Sequence, residues 1–212
     1  MVTRSPKRPL AAGFFALLKW ISPVHESHGV PVWTPLCEKQ ERPLIYKRID
    51  AALGLLKQHA PERYHRAVRL LKAFLVLGND SAHASFDRTN ETCRLRERFM
   101  LAPDTTDASL ACTIVHEATH ARLFELGIPY DEPVRYRVEM VCIRSALLAA
   151  RRFPGAQAEV ERCREQLSIE PSVFSNEGYI DQRAKDLRDL GCPEWIVRAV
   201  VWIARKRVGS GF

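Results

Sequence analysis

Ile114-Val115-His116-Glu117-Ala118-Thr119-His120-Ala121-Arg122 is the stretch from which the rest of this 212-residue chain is best read. At its centre stands His-Glu-x-x-His, inside a segment with strong helical signals. On a helix, residues four apart lie one above the other on the same face, so the imidazoles of His116 and His120 can share one metal ion. Glu117 lies about 100° further round the helix, where its carboxylate can reach a water held by that ion. Upstream, Asp104-Thr105-Thr106-Asp107 supplies N-caps and acidic first-turn residues. Downstream, Gly127 and Pro129 end the helix. Ser109, Thr113, His116 and His120 project from one side, while Leu110, Ala111, Ile114, Val115, Ala118 and Ala121 cover much of the other. A helix apolar on its back and histidine-bearing on its front belongs at the centre of a fold.

A hydrolytic metal needs a third protein ligand and a fourth position left for water. Asp131, Glu132 and Glu139 are the candidates, on a second helix that opens at Asp131-Glu132-Pro133. Glu139 is preferred, because the eighteen residues between it and His120 let the first helix finish, turn and return alongside itself. It also stands among Val138, Met140 and Val141, and a carboxylate in such surroundings requires a partner. Glu132, at the turn, is the alternative and would orient a histidine from behind. The ion expected is zinc, with Glu117 as general base taking a proton from the metal-activated water. Tyr136, one turn before Glu139, is the first candidate for a donor to the developing oxyanion, and a core aromatic is the equal alternative. Tyr130 and His83 are further candidates.

His116-Glu117-x-x-His120 followed by Glu139 resembles the gluzincin class of zinc metallopeptidases, which includes thermolysin-like enzymes and aminopeptidases. The resemblance implies zinc ligands His116, His120 and Glu139, and Glu117 polarising the attacking water. It covers only His116 to Glu139. The aminopeptidases' Gly-x-Met-Glu-Asn signature is absent, and Ile143 stands where thermolysin-like proteins place an aspartate. The third histidine of metzincins is also missing. In its short helical chain the sequence is similar to compact His-Glu-x-x-His proteases that cut transcriptional repressors.

Elsewhere the pattern is mostly helical. Helices are expected from Leu44 to about Ala60, from Pro61 through Val76 to a stop at Gly78-Asn79, and from Asp131 to about Phe153. Three more occupy the region from Ala156 to the C-terminus. Between them, 82–87 and 92–101 read as two short strands around a turn at Arg88–Glu91. Their edge is suited to receiving an extended substrate, or the pair is simply a hairpin covering the core. The expectation is an α+β, mostly α, compact zincin-like domain, with a central metal helix, a small β hairpin or sheet before it and a helical C-terminal part. It spans residues 44–212. Residues 1–43 form a basic, apolar segment followed by an arm in which Pro23, Pro31, Pro35 and Pro43 break any helix. His25 and His28 in that arm read as a solvated pair.

Arg4, Lys7 and Arg8 before Leu10–Leu18 invite three readings: a packed terminal helix, an interfacial membrane helix with Phe14, Phe15 and Trp20 inserted, or a signal peptide. The run is too short to span a bilayer. Six dispersed cysteines, without a C-x-x-C pair, favour a reducing compartment and hence the cytoplasm. Cys112 and Cys142 read as small core residues. The net charge of +7 comes from lysines and arginines interspersed with acidic residues, so nucleic acid is not an expected partner. The expected activity is that of a zinc-dependent metallopeptidase acting on a polypeptide, with peripheral membrane contact through 1–21. The alternative is a degenerate or metal-stabilised zincin that binds or regulates at a membrane or nucleic acid without turnover.

Overall fold

The computed structural model describes residues 22–78 and 83–209, with Leu17 and Trp20 as isolated positions. The three readings of the N-terminal segment lie outside the described residues. The chain is α+β and mostly α, as expected, and divides into two compact units. Of the described residues, those up to Ile128 together with Met140–Leu167 form the first unit, and Pro129–Glu139 with those from Ser168 onward the second.

The first unit is built on a five-stranded sheet, three strands more than the two read from the sequence. Its strands are β1 (Val24–Ser27), β2 (Val30–Trp33), β3 (Ala73–Leu77), β4 (Ala84–Asp87) and β5 (Thr92–Arg96), in the order β1-β2-β3-β5-β4. The β2–β3 and β3–β5 pairs are parallel; the two outer pairs are antiparallel. Helices α1 (Arg42–His59) and α2 (Pro61–Leu70) make the crossover from β2 to β3.

Two expectations are corrected here. The proline-rich arm carries a β-hairpin, turning at His28 and Gly29, whose φ angles are 51° and 82°. Its histidines are engaged: His25 stacks on Tyr46 at 4.4 Å and approaches Asp50 at 3.2 Å, and His28 meets the Tyr64 hydroxyl at 3.1 Å. The helix expected from Pro61 to Val76 ends at Leu70, because Ala73-Phe74-Leu75-Val76-Leu77 is the central strand. A strand flanked by parallel neighbours is buried on both faces, so its apolar run is continuous and does not alternate. Phe74, Leu75 and Val76 are fully buried. Five consecutive apolar residues carry no period that separates strand from buried helix.

The expected strand pair before the metal helix is present as β4 and β5, and β4 ends the sheet. Thr92-to-Leu101 is shorter as a strand than expected, since Glu97–Leu101 forms the short helix α3. Arg48 of α1 donates to the Met100 and Ala102 carbonyls at 2.5 and 2.9 Å, satisfying acceptors that the end of so short a helix exposes.

Helix α4 (Asp107–Glu125) carries the motif and packs against α1, α2, β4, β5 and α6 (Gln157–Leu167). Its ends are fixed as the sequence suggests. The Thr106 side chain accepts from the Ser109 N–H at 3.0 Å. At the other end Ile128 N–H bonds to the Leu123 carbonyl and Gly127 N–H to that of Phe124, with Gly127 at φ 74°. That is the Schellman closure, which needs a left-handed residue where glycine stands. Replacing Thr106 by Ala is expected to lower stability by about 1 kcal/mol, through an uncapped donor at the start of the central helix. Urea unfolding of the two proteins measures it.

The second unit contains the first part of α5 (Glu132–Ala150), a 3-10 turn at Pro171–Phe174, α7 (Asn176–Asp189) and α8 (Glu194–Gly209). The Glu132 carboxylate accepts from the Asn176 backbone N–H and from its side-chain amide, each at 2.8 Å. Arg135 donates to the Phe174 carbonyl and the Asn176 side-chain oxygen, each at 3.0 Å. Among the described residues no helix is long and apolar enough to cross a membrane.

Candidate metal centre

Almost every position of α4 from Ser109 to Ala121 is buried; the half-exposed exceptions are Thr113, His116 and His120. The stripe that reaches toward solvent is therefore the one bearing the histidines. Their Nε2 atoms stand 3.1 Å apart, with ring centroids at 4.8 Å and planes at 62°. Two nitrogens bound to one tetrahedral zinc at about 2.0–2.1 Å would stand roughly 3.3–3.4 Å apart. The rings thus need to move only by a few tenths of an ångström to accept an ion.

A third donor joins them. The Cys142 Sγ, on α5, lies with a nitrogen of each imidazole in a group whose ligand atoms are all within 4.8 Å of one another. The sequence reading placed Cys142 in the core, and it is indeed fully buried. What that reading missed is that its thiol faces the histidine pair. The signal was available: Cys142 follows Glu139 by three residues, one helical turn, on the helix already singled out for its ligand. Imidazole and thiolate are donors that zinc accepts. The residues present therefore fit a zinc-type ion.

Glu117 is 5% exposed and lies within electrostatic reach of β5. Burial pushes the Cys93 thiol well above its ordinary range, and the Glu117 carboxylate pushes it further. Glu117 is thus set between the motif helix and the sheet, a quarter turn from the histidines.

Glu139 belongs to the second unit. It is 8% exposed and accepts a hydrogen bond from the Tyr130 hydroxyl. Tyr130 also meets the Tyr179 hydroxyl at 3.1 Å, and the Arg135 guanidinium lies 4.8 Å from the Tyr179 ring centroid. Burial first, and then the Glu139 carboxylate, raise the Tyr130 phenol far above its ordinary value, so it remains a donor. Tyr130 is thus one partner of this buried carboxylate. Removing that hydroxyl in Tyr130→Phe is expected to cost about 1–3 kcal/mol, since a buried acceptor loses a donor. A shift in the urea midpoint at unchanged slope reads it.

The remaining candidates have local roles. Tyr136 sets its ring against Phe174, with centroids 5.9 Å apart. His83 lies against Phe99, with centroids 4.9 Å apart. The Asp131 carbonyl accepts from the N–H groups of Val134 and Arg135 and opens α5, and Glu132 is held by Asn176. None of the six cysteines is in a disulfide. Comparison with protein-family models, with curated proteins and with solved structures gives no match.

Proposed function

We propose that this protein is a zinc-dependent hydrolase of the zincin type that cleaves peptide bonds. The observation supporting it is the convergence of the two motif imidazoles to 3.1 Å on the partly open stripe of the buried middle of α4, Ser109 to Ala121. A packed histidine pair alone explains neither the buried Glu117 beside it nor the thiol facing it.

His116 and His120 would hold the ion, with a third protein ligand from α5. A bound zinc ion would supply a water of lowered pKa and a Lewis acid for the scissile carbonyl. Glu117 takes the proton from the attacking water and delivers it to the leaving amine. Its burial keeps competing solvent away from the carboxylate and strengthens its interactions there.

Two features favour a polypeptide substrate. Among the described residues strand β4 ends the sheet and packs against α4, so its outer edge is placed to offer main-chain hydrogen bonds to an extended segment beside the motif helix. Phe124 of α4 and Phe86 of β4 lie 6.1 Å apart and give that edge an apolar side-chain contact.

The test is cleavage of a mixed peptide library by the zinc-loaded protein. Products that appear with zinc, vanish with chelator and return with added zinc support the reading. A fully zinc-loaded protein that cleaves nothing favours the alternative of a metal-stabilised binding protein.

A further inference from the structure

We infer that the third protein ligand of the metal is the Cys142 thiolate, making the centre a His-His-Cys site selective for borderline-soft ions. This rests on the metal-site reading above and replaces the carboxylate expected from the sequence.

Three observations carry it. The sulphur belongs to a group in which every ligand atom lies within 4.8 Å of the others, so modest side-chain movement brings all three onto one ion. Zinc–sulphur bonds, at about 2.3 Å, are longer than zinc–nitrogen bonds, which shortens that movement. Second, Cys142 is fully buried, while both histidines are half-exposed. The thiolate thus approaches the ion from the interior, and the position left for water or substrate is on the accessible side. Three protein ligands with one open position are the pattern of catalytic zinc, and mixed thiolate and imidazole sets occur among them. Third, the Glu139 carboxylate accepts from Tyr130 and sits in the second unit's polar cluster, which gives this buried acid a role that needs no metal.

The donor set also dictates the ion. Thiolate and imidazole favour zinc and cobalt(II) over magnesium, calcium and manganese, which prefer oxygen ligands. A site with a glutamate in place of the thiol would discriminate less.

X-ray absorption at the zinc edge of the wild-type, zinc-loaded protein tests this without any substitution. The expected result is one sulphur neighbour at about 2.3 Å together with imidazole nitrogens at about 2.0–2.1 Å. The sulphur is expected to vanish in Cys142→Ser and to persist in Glu139→Gln. Cobalt(II) loading gives a second readout, an intense near-ultraviolet sulphur-to-cobalt band in wild type that is lost in Cys142→Ser. Zinc bound by nitrogen and oxygen alone in the wild type overturns the inference and leaves the hydrolase reading standing. A sulphur neighbour retained in Cys142→Ser also overturns it. Absence of any bound zinc or cobalt overturns both. If Cys142→Ser does not fold, the wild-type neighbour count together with Glu139→Gln still decides between sulphur and carboxylate.

Discussion

Glu117→Gln is expected to abolish peptide hydrolysis while leaving the metal in place. The amide has the shape of the carboxylate but cannot take up a proton, so the loss falls on general-base catalysis, worth about 10²–10⁴ in rate. The fold should tolerate the change. Glu117 is buried at 5% exposure, and Gln fills the same volume there. It also removes a buried charge whose field reaches Cys93 on β5. Zinc content should stay at the wild-type value. The measurement is kcat on a cleaved peptide beside zinc stoichiometry and thermal midpoint. Activity retained at the wild-type level would eliminate Glu117 as the base. Loss of zinc would make Glu117 a ligand and not a base.

The second large effect concerns stability. A metal bound by the folded chain alone stabilises it by RT ln(1 + [L]/Kd), about 4 kcal/mol at a free concentration a thousand times Kd. For a chain of this size that corresponds to a thermal shift of roughly 8–16 °C, at about 2–4 °C per kcal/mol. Chelation of the wild type should lower the midpoint accordingly, and His116→Ala should unfold near the chelated wild type without responding to chelator. The comparison isolates the metal from the side chain, because a merely structural histidine would destabilise the variant without removing its sensitivity to chelator. A wild-type midpoint indifferent to chelator would remove the foundation of the metal reading. His120→Ala should behave as His116→Ala does, since each supplies one of two nitrogens already 3.1 Å apart.

The proposed thiolate ligand bears on both experiments. A site that holds zinc through Cys142 should withstand competition from magnesium and calcium, whose preference is for oxygen. The thermal shift should therefore be restored by zinc or cobalt(II), and not by millimolar magnesium.

Local chemistry decided much of the architecture, and it is legible in the sequence. Thr106 and Gly127 mark the ends of the motif helix because a cap needs a side-chain acceptor at one end and a left-handed backbone at the other. The 100° spacing decided that His116 and His120 would share the less buried stripe, and the apolar back face decided that the helix would be central. The turn at Arg88–Glu91 and the strands beside it follow from residues that oppose helix. The same local rules misjudged Ala73–Leu77, where burial on both faces erases the alternation that identifies a strand, and left the hairpin at Val24–Trp33 as an arm in which prolines break any helix. Pro31 is tolerated there because it sits in a short strand whose pairing with β3 involves only Val32 and Trp33.

What only the tertiary structure decided is which residues from different elements meet. Sequence spacing fixed the two imidazoles on α4, since a helix relates them directly. No local rule brings Cys142 to them, because that juxtaposition depends on how α5 returns against α4. Nor does one bring Tyr130 to Glu139, nine residues apart across the opening of a helix. His-Glu-x-x-His therefore determined the device and its axis. The identity of the atom that completes it is set by packing, and packing is not written in the spacing of letters.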